Sequence, residues 1–190
     1  MASQADVFGG LYAAFRFVTF DRSAERLLGK SRVAFWWSFL GPLLALPGFL
    51  LFNALFVGTL GEEVPGALAL LSGAIGYGLG VLAVPLVLAF LSDAFERPDN
   101  WIPAVIALNW AGFIETAIVL FFVALYATGM FPAALGGFLL FAAMIFCLVY
   151  EWFVARTALG ISGLAAAGTI ILLAIVAFLM GQVADILLLA

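Results

Sequence analysis

The chain has 190 residues, 67% of them apolar and 9% charged, where soluble domains carry about 45–50% and about 25%; a water-soluble globular fold is excluded. Seven basic and eleven acidic side chains give a net charge of -4 and form no basic stripe, so no nucleic-acid partner is expected. Histidine is absent and Cys147, the one cysteine, lies in an apolar run, so neither a disulfide framework nor a side-chain site for haem, zinc or copper is expected, and no cofactor or metal.

The first 32 residues come before any long apolar run. That run is much too long for the core of a cleavable signal, so the N-terminus is expected to be retained. Within 4–20, Val7, Leu11, Phe15 and Val18 recur at i, i+4, i+8 and i+11, with Phe8 and Tyr12 beside them. Asp6, Gly10 and Arg16 fall elsewhere on the wheel, which predicts an interfacial amphipathic helix. Phe17 and Phe20 break the stripe. The helix either packs on the ends of the chain's own spans or serves lipid sensing or partner docking. Asp21 is placed to cap a short turn through Leu28, with Gly29 ending it and Ser31 starting the first span.

A spanning helix needs roughly 20 predominantly apolar residues. Five stretches qualify, at about 33–60, 67–92, 101–128, 132–157 and 160–189. They are continuous, not alternating, which favours helices over a closed barrel. The expected fold is therefore all-α: a polytopic bundle of five transmembrane helices (33–190) behind a cytoplasmic or interfacial segment (1–32).

Cations set the orientation. Arg16, Arg22, Arg26, Lys30 and Arg32 precede the first run, Arg97 lies in the second loop and Arg156 at the end of the fourth span. The first and third loops and the C-terminus carry none, so the N-terminus is expected in the cytoplasm and the C-terminus outside. Glu62 and Glu63 then fall in the first external loop and Asp185 near the external end. Trp36, Trp37, Trp101 and Trp152 sit near cytoplasmic ends of spans, where indoles anchor a bundle. Trp110 lies deeper and needs a packed interior or an N–H partner.

Pro42 and Pro47, beside Gly41 and Gly48, should kink or unwind the first span. Such a break either exposes backbone groups at a midplane binding site or only bends the helix for packing. In the second span Ser72, Gly76 and Gly80 form a smooth helix-packing stripe, used inside the bundle or between two copies. Pro85 interrupts that span once.

Two acids lie well inside spans. Glu115 is about 14 residues into the third, or about 20 Å along its axis, and no Lys or Arg reaches it easily. An acid there is expensive and marks a functional site by default. Its roles remain open: a structural donor to Asn109, Asn53 or a kinked carbonyl; a proton or cation site; or the partner of a cation on another subunit. Glu151 lies nearer the cytoplasmic end. Arg156 is about 140° around the helix from it, and a tie to Arg97 or a first-span basic residue is expected. No nucleophile elbow, phosphate loop or histidine base appears, and the protein is not expected to be an enzyme.

The stretches Ser38-Phe39-Leu40-Gly41-Pro42, Gly76-Tyr77 and Pro85, on a five-span topology with a cytoplasmic N-terminal segment, resemble the Yip family of membrane proteins. In that family the first span often begins D-L-x-G-P; Ser38 stands at the aspartate position here. The resemblance implies a membrane-traffic context in eukaryotes and no chemical reaction. Asn109-Trp110 and the run 150–160 are similar to small inner-membrane proteins of alphaproteobacteria. The expected function is a non-enzymatic accessory or membrane-organising subunit in a bacterial inner membrane, with its C-terminus in the periplasm. Its partners would be the bilayer and a membrane-protein partner or homo-oligomer. The alternative is a small proton- or cation-linked transporter or channel with Glu115 at the midplane.

Overall fold

The computed structural model describes residues 2–60 and 66–189, with side chains over 7–55 and 66–188. Glu62 and Glu63 lie outside the described residues, as does the side chain of Asp6. Among the described residues there are seven α-helices, two 3₁₀ turns and no strand: α1 (Ala2–Phe17), α2 (Arg32–Ser38), α3 (Leu40–Leu60), α4 (Gly66–Ala94), α5 (Trp101–Ala127), α6 (Ala133–Leu159) and α7 (Gly163–Leu189). Five segments are long and apolar enough to cross a membrane, the first running through α2 and α3. A 27-residue helix such as α5 is about 40 Å long, which spans a hydrocarbon core of about 30 Å with turns to spare.

The local signals between α1 and α2 fold as their residue types dictate. Asp21 starts the 3₁₀ turn Arg22–Leu27 and accepts from the Ser23 backbone N–H at 2.8 Å. Its carboxylate also pairs with Arg16. Hydrogen bonds from Ser23, and then the Arg16 guanidinium, hold the Asp21 carboxyl below the usual carboxylate range. Phe20 takes a left-handed φ of 56°, unfavourable for a bulky residue, and packs edge-on against Phe153 with ring centroids 5.2 Å apart. Ser31 caps α2 by accepting from the Ala34 N–H at 3.0 Å.

The predicted double kink divides unequally between its prolines. Pro42 has no N–H to offer the Ser38 carbonyl four residues back, and α2 ends at Ser38 while α3 begins at Leu40. Pro47 instead lies inside an uninterrupted α3, so only Pro42 breaks the helix.

In the bundle α4 lies along α7, α5 along α6, and α3 along α5. Small residues permit these contacts. A β-carbon on Gly41 would collide with the backbone carbonyl of Asn109, and one on Gly76 would come within 3.0 Å of the Gly181 Cα. The Ser72/Gly76/Gly80 stripe is therefore covered by α7. Within the chain, α7 occupies the face that a second copy would need.

Helix α1 docks on α5, α2 and α6, and its buried face differs from the predicted stripe. Gly10, Ala13, Ala14 and Phe17 are buried, whereas Phe8, Tyr12 and Phe15 are 68%, 56% and 63% exposed. Small residues let the α1 backbone come close: a β-carbon on Gly10 would lie 2.6 Å from the Trp110 indole nitrogen. Tyr150 then donates its hydroxyl to the Ala14 carbonyl at 2.9 Å. The expected packing on the spans holds, and an aromatic row stays outward, suited to the membrane interface.

Two of the four anchoring tryptophans have partners within the chain. Trp101 donates to the Pro85 carbonyl and Trp152 to the Gly163 carbonyl, each at 2.8 Å. Trp36 and Trp37 face outward. Gly160, at φ 66°, ends α6 in the left-handed conformation, and the Asn100 amide donates to the Leu159 carbonyl at 2.9 Å. Gly41→Ala should lower stability by about 1–3 kcal/mol through backbone collision. Gly78→Ala, where an added β-carbon meets nothing within 4 Å, should be neutral or slightly stabilising; equal thermal melting of the two variants in detergent would refute this account of the α3–α5 contact.

Candidate functional site

The densest packing is at the end of the bundle nearest α1, where every α5 residue from Pro103 to Ala111 is buried and Tyr150, Val154, Ala155 and Leu159 of α6 join the same core. Further out the helices separate around a cavity of about 920 Å³, walled by α3, α4, α5 and α7, with Glu151 reaching in from α6. Gly73, Gly76 and Gly80 of α4, Gly112 of α5 and Gly181 of α7 line it. Residues without side chains leave the space that the wall then encloses.

Its polar lining is acidic and amidic, from Asn53, Ser72, Tyr77, Asn109, Glu151 and Asp185, and no lining residue is basic. Much of the donor capacity is already used within the protein. Tyr77 donates to the Pro42 carbonyl at 2.9 Å and Ser72 to Asp185 at 2.5 Å. Asn53 gives an amide proton to the Phe49 carbonyl at 3.0 Å, and Asn109 gives one to the Ser38 hydroxyl at 2.8 Å. Ser38 in turn donates to the Phe35 carbonyl. Carboxylate and amide oxygens remain for a guest, a surface that accepts hydrogen bonds and attracts positive charge.

Glu115 lies beside this cavity, not on its wall, and its Oε1 is buried with no hydrogen-bond partner among the described residues. The expected donation to Asn109 or Asn53 is not made. Both amides are held elsewhere: Asn109 by Ser38 across the α2–α5 contact, Asn53 by its own helix. Glu115 of α5 and Glu151 of α6 lie on two helices that pack along each other. Side chains on a helix lean toward its N-terminus, and α5 and α6 run antiparallel. Glu115 therefore leans toward the end of the bundle that carries α1 and Glu151 away from it, which turns toward each other two acids that stand apart in the sequence.

The expected tie of Glu151 to Arg97 or a first-span basic residue does not form, and none forms to Arg156. The ion pair among the described residues is Arg16–Asp21. Arg156 lies over the Trp152 ring, 5.4 Å from its centroid, because its position around α6 points away from Glu151, whose carboxyl faces the cavity. Asp185 enters the site through Ser72, a pairing not read from the sequence. The matching small stripes, Ser72/Gly76/Gly80 on α4 and Ala177/Gly181/Ala184 on α7, carried the signal for that register.

No family model, no curated protein and no solved structure matches the chain. The similarity to the Yip family rests only on the residues quoted for it. In a Cys147→Ser background, Glu151→Cys should react with a small water-soluble thiol reagent while Glu115→Cys stays protected. Equal labelling of both would contradict the placement of one acid on the cavity wall and the other behind it.

Proposed function

We propose that this multi-pass membrane protein is a small proton- or cation-linked transporter or channel, with the acid-lined cavity as its binding site. The observation that carries this reading is an acid-lined cavity with no basic side chain on its wall, with Glu115 buried behind it and its Oε1 unpartnered among the described residues. Acids inside spans are costly and are kept for ion or proton work. A broken first span next to the site, at Ser38 and Pro42, is a familiar device for exposing backbone oxygens to a solute. Neighbouring carboxyls without a resident cation can exchange a proton for an entering cation, Glu151 meeting the cavity and Glu115 standing behind it.

A second reading, an accessory subunit docking on a membrane partner, is favoured by the outward aromatic row Phe8, Tyr12 and Phe15 on α1. It places function on the rim and none in the cavity. In proteoliposomes carrying a proton or monovalent-cation gradient, the protein should support flux that Glu115→Gln and Glu151→Gln each lower by about tenfold or more. Flux equal to that of empty vesicles, or unchanged in both variants, rejects the transport reading.

The one-sided cations favour an N-terminus in the cytoplasm and a C-terminus on the far side, which in the bacterial inner membrane we propose is the periplasm. A reporter active only outside the cytoplasm should work when fused after residue 190 and stay silent when fused before residue 1. The opposite pattern, or activity at both ends, overturns this orientation.

A further inference from the structure

We infer that the cavity takes an elongated organic cation with ammonium groups at both ends of an apolar chain. This rests on the cation-binding reading of the cavity and adds the shape and charge spacing of the guest.

The carboxylates on the wall are at opposite ends. Asp185 is held by Ser72 in the outer part of α4. Glu151 shares the inner part with Leu108 and Asn109, residues of the buried half of α5. The α4 lining continues inward from Ser72 to Val84, about 18 Å at 1.5 Å per residue. A single small cation could meet one acid but not both.

The wall between them is apolar and aromatic. Phe49 and Tyr77 line this stretch with ring centroids 4.7 Å apart, and Ala174 and Ala177 line the α7 side. Such a surface suits methylene groups, which gain from leaving water, and an aromatic face adds attraction for a passing ammonium. At the outer end the Ser72 hydroxyl fixes the Asp185 carboxylate by its Oδ1, leaving Oδ2 to accept from a guest. At the inner end Glu151 makes no ion pair among the described residues, so an ammonium there would be its counterion. A guest with a charge at one end only would leave the second carboxylate unmatched.

The test is calorimetric titration of the full chain in nanodiscs of zwitterionic lipid, with empty nanodiscs subtracted. The probes are the ten-carbon terminal diamine, decylamine and the four-carbon terminal diamine. The long diamine should bind about tenfold or more tighter than either of the others, the gain expected of one further charge-assisted contact. Asp185→Asn and Glu151→Gln should each bring it down to the level of decylamine. Equal affinity for decylamine and the long diamine, or indifference to both substitutions, overturns the inference. Ser72→Ala, which only releases Asp185, should weaken the long diamine and leave decylamine unchanged; it keeps the test decisive where a charge variant fails to fold. Diamine binding that depends on both acids but is unaccompanied by flux would leave this inference standing and remove the transport reading. Acid-dependent proton flux with no diamine binding would do the reverse.

Discussion

Gly41 lies against the backbone carbonyl of Asn109, in a gap that a methyl group cannot enter. The contact sets the distance between α3 and α5, and much else follows from contacts of this kind. In lipid the hydrophobic effect does not drive one helix against another, so association depends on close packing and on polar groups paired across the interface. Gly41 brings the two backbones close enough for Asn109 to reach Ser38, whose carbonyl the ring of Pro42 leaves without its helical donor. Gly76 does the same for α4 against Gly181 of α7, and the nearby Ser72–Asp185 bond locks that register. Gly10 admits α1 to the indole of Trp110. At each of these three places a residue lacking a side chain comes first and a polar or aromatic partner completes the joint.

The same small residues have the opposite effect where no partner fills the gap. The turns of α5 and α6 nearest α1 are covered by α1, by the 3₁₀ turn after it and by one another, and they form a continuous core. Beyond that core Gly73, Gly80, Gly112 and Gly181 face the interior, and the bundle opens. One half of the protein is a rigid base and the other a walled space, which suits a site that must hold a guest without collapsing. The base also orients the acids. Tyr150, held by the Ala14 carbonyl, is the residue before Glu151, so docking of α1 helps to set the direction in which that carboxyl points.

Charge distribution completes the site by omission. The cations are kept to one side by their role in orienting the chain, and the positions they occupy leave the cavity wall without a base. Arg156, the cation nearest in sequence to Glu151, spends its charge on the face of Trp152. The acids on the cavity wall have no basic side chain beside them among the described residues.

Composition, run length and the placement of seven cations were enough to establish an all-helical membrane bundle and to suggest its orientation, because spanning a bilayer constrains length and polarity residue by residue. Local chemistry was equally legible: Asp21 and Ser31 cap the turns predicted for them, and Pro42 breaks the first span. Which helices touch was not legible, since the faces of nearly all-apolar helices look alike in sequence. Docking of α1 centred on Gly10, Ala13, Ala14 and Phe17, with Val7, Leu11 and Val18 at its edge and Phe15 outward, shows the difference. Glu115 and Glu151, read separately along the chain, lean toward each other only because α5 and α6 lie antiparallel and helical side chains lean toward their own N-termini. Glu151 was assigned to Arg97 or a first-span basic residue because helical spacing excludes Arg156 as a direct partner but does not say which neighbouring helix the carboxyl faces. The cavity, its two acidic ends and the engagement of Tyr77, Asn53 and Asn109 belong to the tertiary structure alone, because they depend on the space left between helices and not on any one helix.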